Sequence, residues 1–286
     1  MSQGLHLRTL RPENLAFADS LRASVGWNQM LDHWRRFLTM EPEGCFLAEW
    51  DGLPAGTLTT LRYGSQMAWI GRVLVHPEYR RHGIVRAMFR NCIWWLQERG
   101  VCCITLDATP AGKQVYEGMG SKDEWTLTRW EHTGLTLANA LKAGLRLWRT
   151  SDGQLVARFD ATAFGVSRQA LLKVLAGQSR RALLLETAPG TPAGNGFIRP
   201  GAQATYLGPV VGTSAQAGLQ VVEALLAHSD GEKVYWDIPD ANTAAAAWAS
   251  QYGFTSQRVL TRMYLDQNSA PSNPWQLFAP AWPEVG

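Results

Sequence analysis

The sequence predicts an α/β (α+β) protein made of two similar domains, each a mixed sheet flanked by helices. Three observations predict it. Strand-like and helix-like segments alternate along the chain instead of falling into blocks. The pattern WIGRVLV at 69–75 returns as YLGPVVG at 206–212, in the order aromatic, aliphatic, glycine, β-branched. A length of 286 residues, 46% of them hydrophobic, is enough for two ordinary cores.

In the first half, residues 5–10 form a strand with Leu5 and Leu7 on one face. Helical stretches follow at 13–24, opened by Pro12 and Glu13, and at 29–38. Segments 45–50 and 55–62 flank Asp51-Gly52, a hairpin turn dipeptide, and 68–75 is a further strand. Residues 84–97 carry helix spacing: Ile84, Met88, Cys92 and Trp95 make one face, and Arg86, Arg90 and Gln97 point away. Gly100 marks the stop. A buried strand at 101–107, a helix at 111–119 and a strand at 124–131 complete the order β-α-α-β-β-β-α-β-α-β. Residues 133–151 read as a linker with helix-like spacing at Leu137, Leu141 and Leu145.

The second half reads as strands at 153–159, 181–186, 203–211, 233–238 and 257–265, with helices at 167–176, 215–227 and 242–251 and a Gly/Pro-rich loop at 188–196. Both halves then share a loop, a glycine (Gly83, Gly218), an amphipathic helix and an apolar strand ending near an aspartate (Asp107, Asp237). The expected domains are 1–132 and 152–265, with a tail at 266–286 that docks through Trp275, Phe278 and Trp282.

A formal charge of +3 gives no sign of a nucleic-acid partner. No apolar run of membrane-spanning length and no signal-peptide core is present, so a cytoplasmic protein without a membrane partner is expected. Cys45, Cys92, Cys102 and Cys103 form no C-x-x-C pair and read as reduced core residues. No His/Cys/Asp cluster has metal-ligand spacing, so no metal is expected, and no G-x-S-x-G elbow points to a covalent intermediate.

Chemistry concentrates in VLVHPEYRRHGIVRAM, 73–88, where a strand runs through an Arg/Gly loop into a helix. The free N–H groups and partial positive charge of a helix's first turn favour a pyrophosphate. Gly83 lets the backbone approach phosphate oxygens, and Arg80, Arg81 and Arg86 supply charge-assisted hydrogen bonds. The absence of Gly-Lys-Ser/Thr argues against a magnesium-nucleotide loop.

This segment resembles motif A of the GNAT N-acetyltransferase superfamily, V-x-P-x-x-[QR]-x-x-G-[IL]-[GA], with Val75, Pro77, Arg80, Gly83 and Ile84 matching and Val85 in the Gly/Ala position. The resemblance implies acetyl-CoA as cofactor and a mixed, mostly antiparallel GNAT-like sheet in each half. It implies that backbone amides of Arg81, His82, Gly83, Ile84, Val85 and Arg86 cradle the pyrophosphate. Val73, Leu74 and Val75 would pair with the pantetheine arm. The family frame N-x-x-A-x-x-x-Y-x-x-x-G-F is met by Tyr116 and Gly120, with Thr109, Gly112 and Ser121 at the Asn, Ala and Phe positions; Thr109 is thereby a cofactor-site residue. Tyr116 is the expected acid: a tyrosine of pKa ~10 can protonate a departing thiolate of pKa ~8.5. The second half keeps Asn242, Ala245, Ala249, Gly253 and Phe254 but has no tyrosine in the frame, and its loop TSAQAG has no Arg or Lys. The pairing resembles tandem GNAT proteins with a divergent second domain.

The acceptor is expected to be a small-molecule amine or a peptide. Asp107 is the first candidate for its general base and Glu49 the second; His76 abuts the loop and reads as solvating it, and His33 either faces substrate or covers the sheet. A longer acyl-CoA fits the same slot. The alternative outside enzymology is a non-catalytic CoA-binding sensor or interaction protein.

Overall fold

Alternating apolar side chains and a few well-placed turn residues fix the elements of the first half. The computed structural model describes residues 4–137 and 143–286. Strand β1 (Leu5–Thr9) precedes helices α1 (Leu15–Ser24) and α2 (Leu31–Met40). Then come β2 (Cys45–Trp50), β3 (Leu53–Tyr63), β4 (Met67–Val75), α3 (Ile84–Gln97), β5 (Cys103–Ala108), α4 (Pro110–Glu117) and β6 (Lys122–His132). The order is the one expected from the sequence. At the β2–β3 turn both Asp51 (φ 51°) and Gly52 (φ 80°) are left-handed, as a two-residue hairpin loop requires.

The second half comprises β7 (Leu145–Leu147), α5 (Gly153–Phe164), α6 (Gln169–Gln178), β8 (Arg181–Ala188), β9 (Thr191–Arg199) and β10 (Thr205–Gly212). It continues with α7 (Ala215–Leu226), β11 (Val234–Pro239), α8 (Thr243–Gln251), β12 (Thr255–Asp266) and β13 (Leu277–Ala279). Several expectations are corrected. Residues 153–159 are helical, not a strand: Val156, Ala157, Asp160, Ala163 and Phe164 are buried at helical spacing, which the short segment GQLVARF masked with a period-two pattern. The loop expected at 188–196 shrinks to a turn at Pro189-Gly190, and Gly194 and Gly196 lie inside β9 because Val221 and Leu225 of α7 press on them. The tail contains a strand, β13, and docks through Phe278 and Trp282, both 1% exposed, whereas Trp275 is 67% exposed. Cys45, Cys92 and Cys103 are buried free thiols; Cys102, read as core, is exposed. The spacing Leu137, Leu141, Leu145 loses its middle member, since Leu141 lies outside the described residues; Leu145 is in β7.

The chain divides into two compact units that do not run linearly through it. The first takes residues 1–122, 263–269 and 283–285, the second 123–262, 270–282 and 286. The partition expected from the sequence placed 124–131 in the first domain and 257–265 wholly in the second. The reason for the difference is pairing and packing. β6 pairs with β11 in antiparallel register from Leu127↔Pro239 to His132↔Val234, and Met263 and Leu265 of β12 sit in the core of the first unit.

The first unit holds the antiparallel run β1-β2-β3-β4, followed by β5 parallel to β4. On one face α3 buries Ile84, Met88, Phe89, Cys92, Trp95 and Leu96 against Phe46, Leu58, Ile70 and Leu106. Arg86, Arg90 and Gln97 are exposed. α1 and α2 pack on the other face, against β3 and β4. The second unit repeats the topology: β10, α7, β11 and α8 follow one another as β4, α3, β5 and α4 do, with β10 and β11 parallel.

Candidate active site

β4 and β5 pair only at Ala68↔Ile104 and Trp69↔Thr105. Both strands continue, to Val75 and to Ala108, without pairing further, so a gap opens between two main chains. A bulge in β4 helps to open it. Thr57 faces Leu74 and Thr59 faces Gly71, so an extra residue is accommodated at Arg72-Val73, and Arg72 takes a left-handed φ of 51°. The bulge carbonyls are satisfied by buried hydroxyls: Thr57 Oγ1 donates to Arg72 O and Thr59 Oγ1 to Gly71 O, each at 3.1 Å.

The loop leaving β4 leads to the N-terminus of α3. Arg81 (φ 68°) and Gly83 (φ 76°) are left-handed on either side of His82, an alternation that turns successive amides to one side. Gly83 is the N-cap and no side chain caps the helix, so the first-turn amides remain available. Nothing lies within 4 Å of a Cβ built on Gly83. Arg80, Arg81 and Arg86 are exposed, and none forms an ion pair among the described residues. Arg80 Nε donates to Val75 O at 3.3 Å, and the His82 ring lies 4.8 Å from Trp50. Val85 packs its side chain against the α3 core, away from the loop. Loop, open glycine, free amides and unpaired guanidiniums suit a diphosphate, and the unpaired edges of Val73–Val75 suit an extended amide-containing arm; the residues present fit CoA.

Tyr116, on α4, is 8% exposed with its ring 5.0 Å from Phe89, and burial pushes its hydroxyl pKa well above the ordinary tyrosine value. The shift favours the protonated hydroxyl. Thr109 is the N-cap of α4, its hydroxyl accepting from Gly112 N at 3.2 Å. Asp107 is half-buried on the parted stretch of β5, facing away from the α3 side on which Leu106 and Ala108 sit. Glu49 is elsewhere: β3 separates its strand from β4, and Arg8 grips it at 2.8 Å (Nε) and 2.7 Å (Nη2), with His6 at 3.4 Å. The hydrogen bond from Arg8, chiefly, holds its carboxyl below the usual range. His76 stands at the loop entrance with Glu78 at 3.9 Å. His33 is buried on α2, its Nδ1 accepting from Met30 N at 3.1 Å.

Sequence reasoning missed one group. Residues 283–285 lie on the β4 face opposite α3, with Glu284 Cα 2.6 Å from a Cβ built on Gly71. Trp69 Nε1 donates to Pro283 O at 2.8 Å and Tyr63 OH to Val285 O at 2.6 Å. Glu284 accepts from Arg72 Nη2 at 3.1 Å and from Gln29 Nε2 at 3.0 Å. No local pattern ties position 284 to position 72; only the apolar Trp and Phe of the tail hinted that it docks.

The equivalent place in the second unit is filled by its own chain. β10 and β11 pair over Thr205–Leu207 and Val234–Trp236; beyond that β13 pairs with β10 at Val210↔Ala279 and Val211↔Leu277 and packs on β11. Trp236 Nε1 donates to Phe278 O at 2.8 Å. The Phe278 ring rests on Gly218 so closely that no Cβ fits there. Gly218 thus lies within α7 as a packing glycine, unlike the loop glycine Gly83 with which the sequence aligned it; Ser214 caps α7.

Comparisons with known proteins agree with this layout. Residues 15–120 match the family model "Acetyltransferase (GNAT) family" and 156–279 match "Acetyltransferase (GNAT) domain". The chain belongs to the GNAT acetyltransferase family, as a tandem of two GNAT domains. A Bacillus subtilis relative described as "Uncharacterized N-acetyltransferase YitH" is 28% identical over 211 residues, 73% of each chain. Among solved structures, a putative acetyltransferase from Pyrococcus horikoshii superposes with a TM-score of 0.82 at 22% identity, over 100% of this chain and 97% of the other. A tandem GNAT protein from the clavulanic acid biosynthesis pathway gives 0.64 at 18% identity, over 94% and 100%. At such identities these structures show the GNAT fold alone. No helix among the described residues of this GNAT chain is long and apolar enough to cross a membrane.

Proposed function

We propose that the chain moves an acetyl group from acetyl-CoA to the nitrogen of a primary amine, on a small molecule or a peptide, by direct attack in a ternary complex. The reading rests above all on the parting of β4 from β5 beside an unpaired arginine loop at the start of α3. The first-turn amides of α3, the amides of 81–83 and the side chains of Arg80, Arg81 and Arg86 hold the pyrophosphate, and Val73–Val75 hold the pantetheine by main-chain hydrogen bonds. Bound acetyl-CoA supplies the activated acyl carbon. An N–H of β4 holds the carbonyl oxygen as charge gathers on it. Asp107, on the acceptor face, takes the proton that the attacking amine must lose, directly or through water. Tyr116 gives its proton to the sulfur as the carbon–sulfur bond breaks. Glu49, held by Arg8, is the weaker base candidate. The second unit has neither loop arginines nor a slot clear of protein, which favours one cofactor site per chain.

Calorimetry with acetyl-CoA, followed by a thiol-release assay over amines and peptides, tests the reading. One molecule bound per chain and thiol released only with an amine is the expected result. Binding without release against every amine favours the sensor role; no binding removes the reading altogether.

A further inference from the structure

The β4 bulge aims a charged side chain at the face of the sheet opposite α3. Arg72 is strained, left-handed and fully buried at its side chain. Its guanidinium lies 4.3 Å from the Trp34 ring and 4.8 Å from Phe37. Arg36, 6% exposed, is the second cation of this cluster. Burial, and then Arg72, pull the Arg36 pKa down to about 10, with Glu284 acting the other way. Glu284 is a buried carboxylate that pairs with Arg72 and also acts on Arg36. Arg72 Nε and Nη1 and Gln29 Oε1 have no partner although buried. Buried cations need counter-charges, and Arg72 has donors to spare for one. Its backbone adjoins Val73, the first residue of the strand stretch assigned to the pantetheine arm.

We propose that Arg72 recognises a carboxylate on the acceptor, and that Glu284 is its resting counter-ion, exchanged for the substrate's carboxylate when the acceptor binds. The acceptor is then an amine that carries a carboxylate, such as an amino acid or a peptide with a free carboxyl end. This inference rests on the transferase reading and names its acceptor class. The exchange conserves charge: one carboxylate leaves the guanidinium as another arrives, and Glu284 keeps its hydrogen bond from Gln29 Nε2.

The test uses the full chain saturated with CoA and the probe N-acetylglycine, with N-acetylglycinamide as its uncharged counterpart and inorganic phosphate as the other oxyanion. Glu284→Gln removes the competitor and is expected to bind N-acetylglycine at least 10-fold more tightly than the parent, and the amide no better. Arg72→Met/Glu284→Gln removes the ion pair as a unit, with Arg36 still present, and is expected to lose the gain. Thermal melting checks that both variants are folded. An affinity for N-acetylglycine unchanged by Glu284→Gln, or retained in the double variant, overturns the proposal. Phosphate bound in place of N-acetylglycine does so too, by assigning the pocket to phosphorylated ligands. CoA affinity is measured in the same preparations: its loss in the parent chain would strike the transferase reading, whereas intact CoA binding with no carboxylate preference strikes only this one.

Discussion

The two units carry the same strand-helix-strand-helix device and use the opening it creates in opposite ways. In the first, β4 and β5 part after Trp69 and Thr105, and among the described residues no backbone pairs into the gap. In the second, β10 and β11 part after Leu207 and Trp236, and β13 is laid into the space, with Phe278 pressed on Gly218. Parallel strands that diverge leave unpaired N–H and C=O groups, and buried ones must find partners. A peptide strand meets that need permanently in one unit; a ligand with amides of its own would meet it transiently in the other. The contrast explains why the second loop can lack arginine: a strand of protein has no phosphates to hold.

The strongest way to break the comparison is at the chemistry. Tyr116→Phe in the first unit is expected to lower turnover about 10³-fold, the range typical of a lost general acid. CoA affinity should stay within about twofold, because in the proposed mechanism the hydroxyl acts on sulfur only as the bond breaks. Steady-state rates with calorimetry decide it; a turnover close to the parent's takes Tyr116 out of the mechanism. Since burial raises its pKa, the tyrosine does not ionise on the way up to pH 10, and no alkaline fall in rate below that pH is expected from it.

Next in size is the plug itself. Phe278→Ala empties a fully buried site and is expected to destabilise the chain by about 3–5 kcal/mol in denaturant unfolding. It should not create a second cofactor site, as the loop TSAQAG offers no charge. A calorimetric stoichiometry rising from one CoA per chain towards two in this variant would show that β13 alone kept the second unit empty. Arg80→Gln/Arg81→Gln/Arg86→Gln probes the other side. Three exposed guanidiniums each contribute on the order of 1 kcal/mol to phosphate binding, so acetyl-CoA affinity should fall about 10²-fold and weaken further with salt. Unchanged affinity would empty the assigned site.

Short-range chemistry made much of this legible. Asp51-Gly52 fixes a hairpin because only left-handed residues fit the turn, and the apolar spacing from Ile84 to Trp95 leaves no face but one for burial. Arg80 and Gly83 stood out because their residue types suit a phosphate, whereas Tyr116 came from the resemblance to the GNAT frame. What stayed hidden depends on partners distant in sequence. GQLVARF fits a strand and a helix equally, and the longer helical packing of Phe164 and Ala163 decides it. Glu284 on Arg72, and β13 on β10, join positions 212 and 66 or more residues apart, where no spacing rule reaches.

The smallest predicted effect sharpens the comparison at one hydrogen bond. Thr109 and Asn242 hold the same place, each capping the helix after its parted strand: Thr109 Oγ1 accepts from Gly112 N at 3.2 Å and Asn242 Oδ1 from Ala245 N at 3.1 Å. Asn242 does one thing more. Its Nδ2 donates to Leu277 O of β13 at 3.1 Å, so the cap residue also holds whatever fills the slot. Thr109 has only a hydroxyl for both tasks. Thr109→Ala should destabilise α4 by about 1 kcal/mol, the usual loss for an N-cap. Thr109→Asn keeps the cap and adds an amide donor facing the slot. A neutral hydrogen bond of about 0.5–1.5 kcal/mol should then tighten acetyl-CoA binding roughly 2- to 10-fold without changing the melting point. If the asparagine variant binds no better while remaining equally stable, the Asn242–Leu277 contact belongs to the plug alone, and the two slots are less alike at this corner than their backbones suggest.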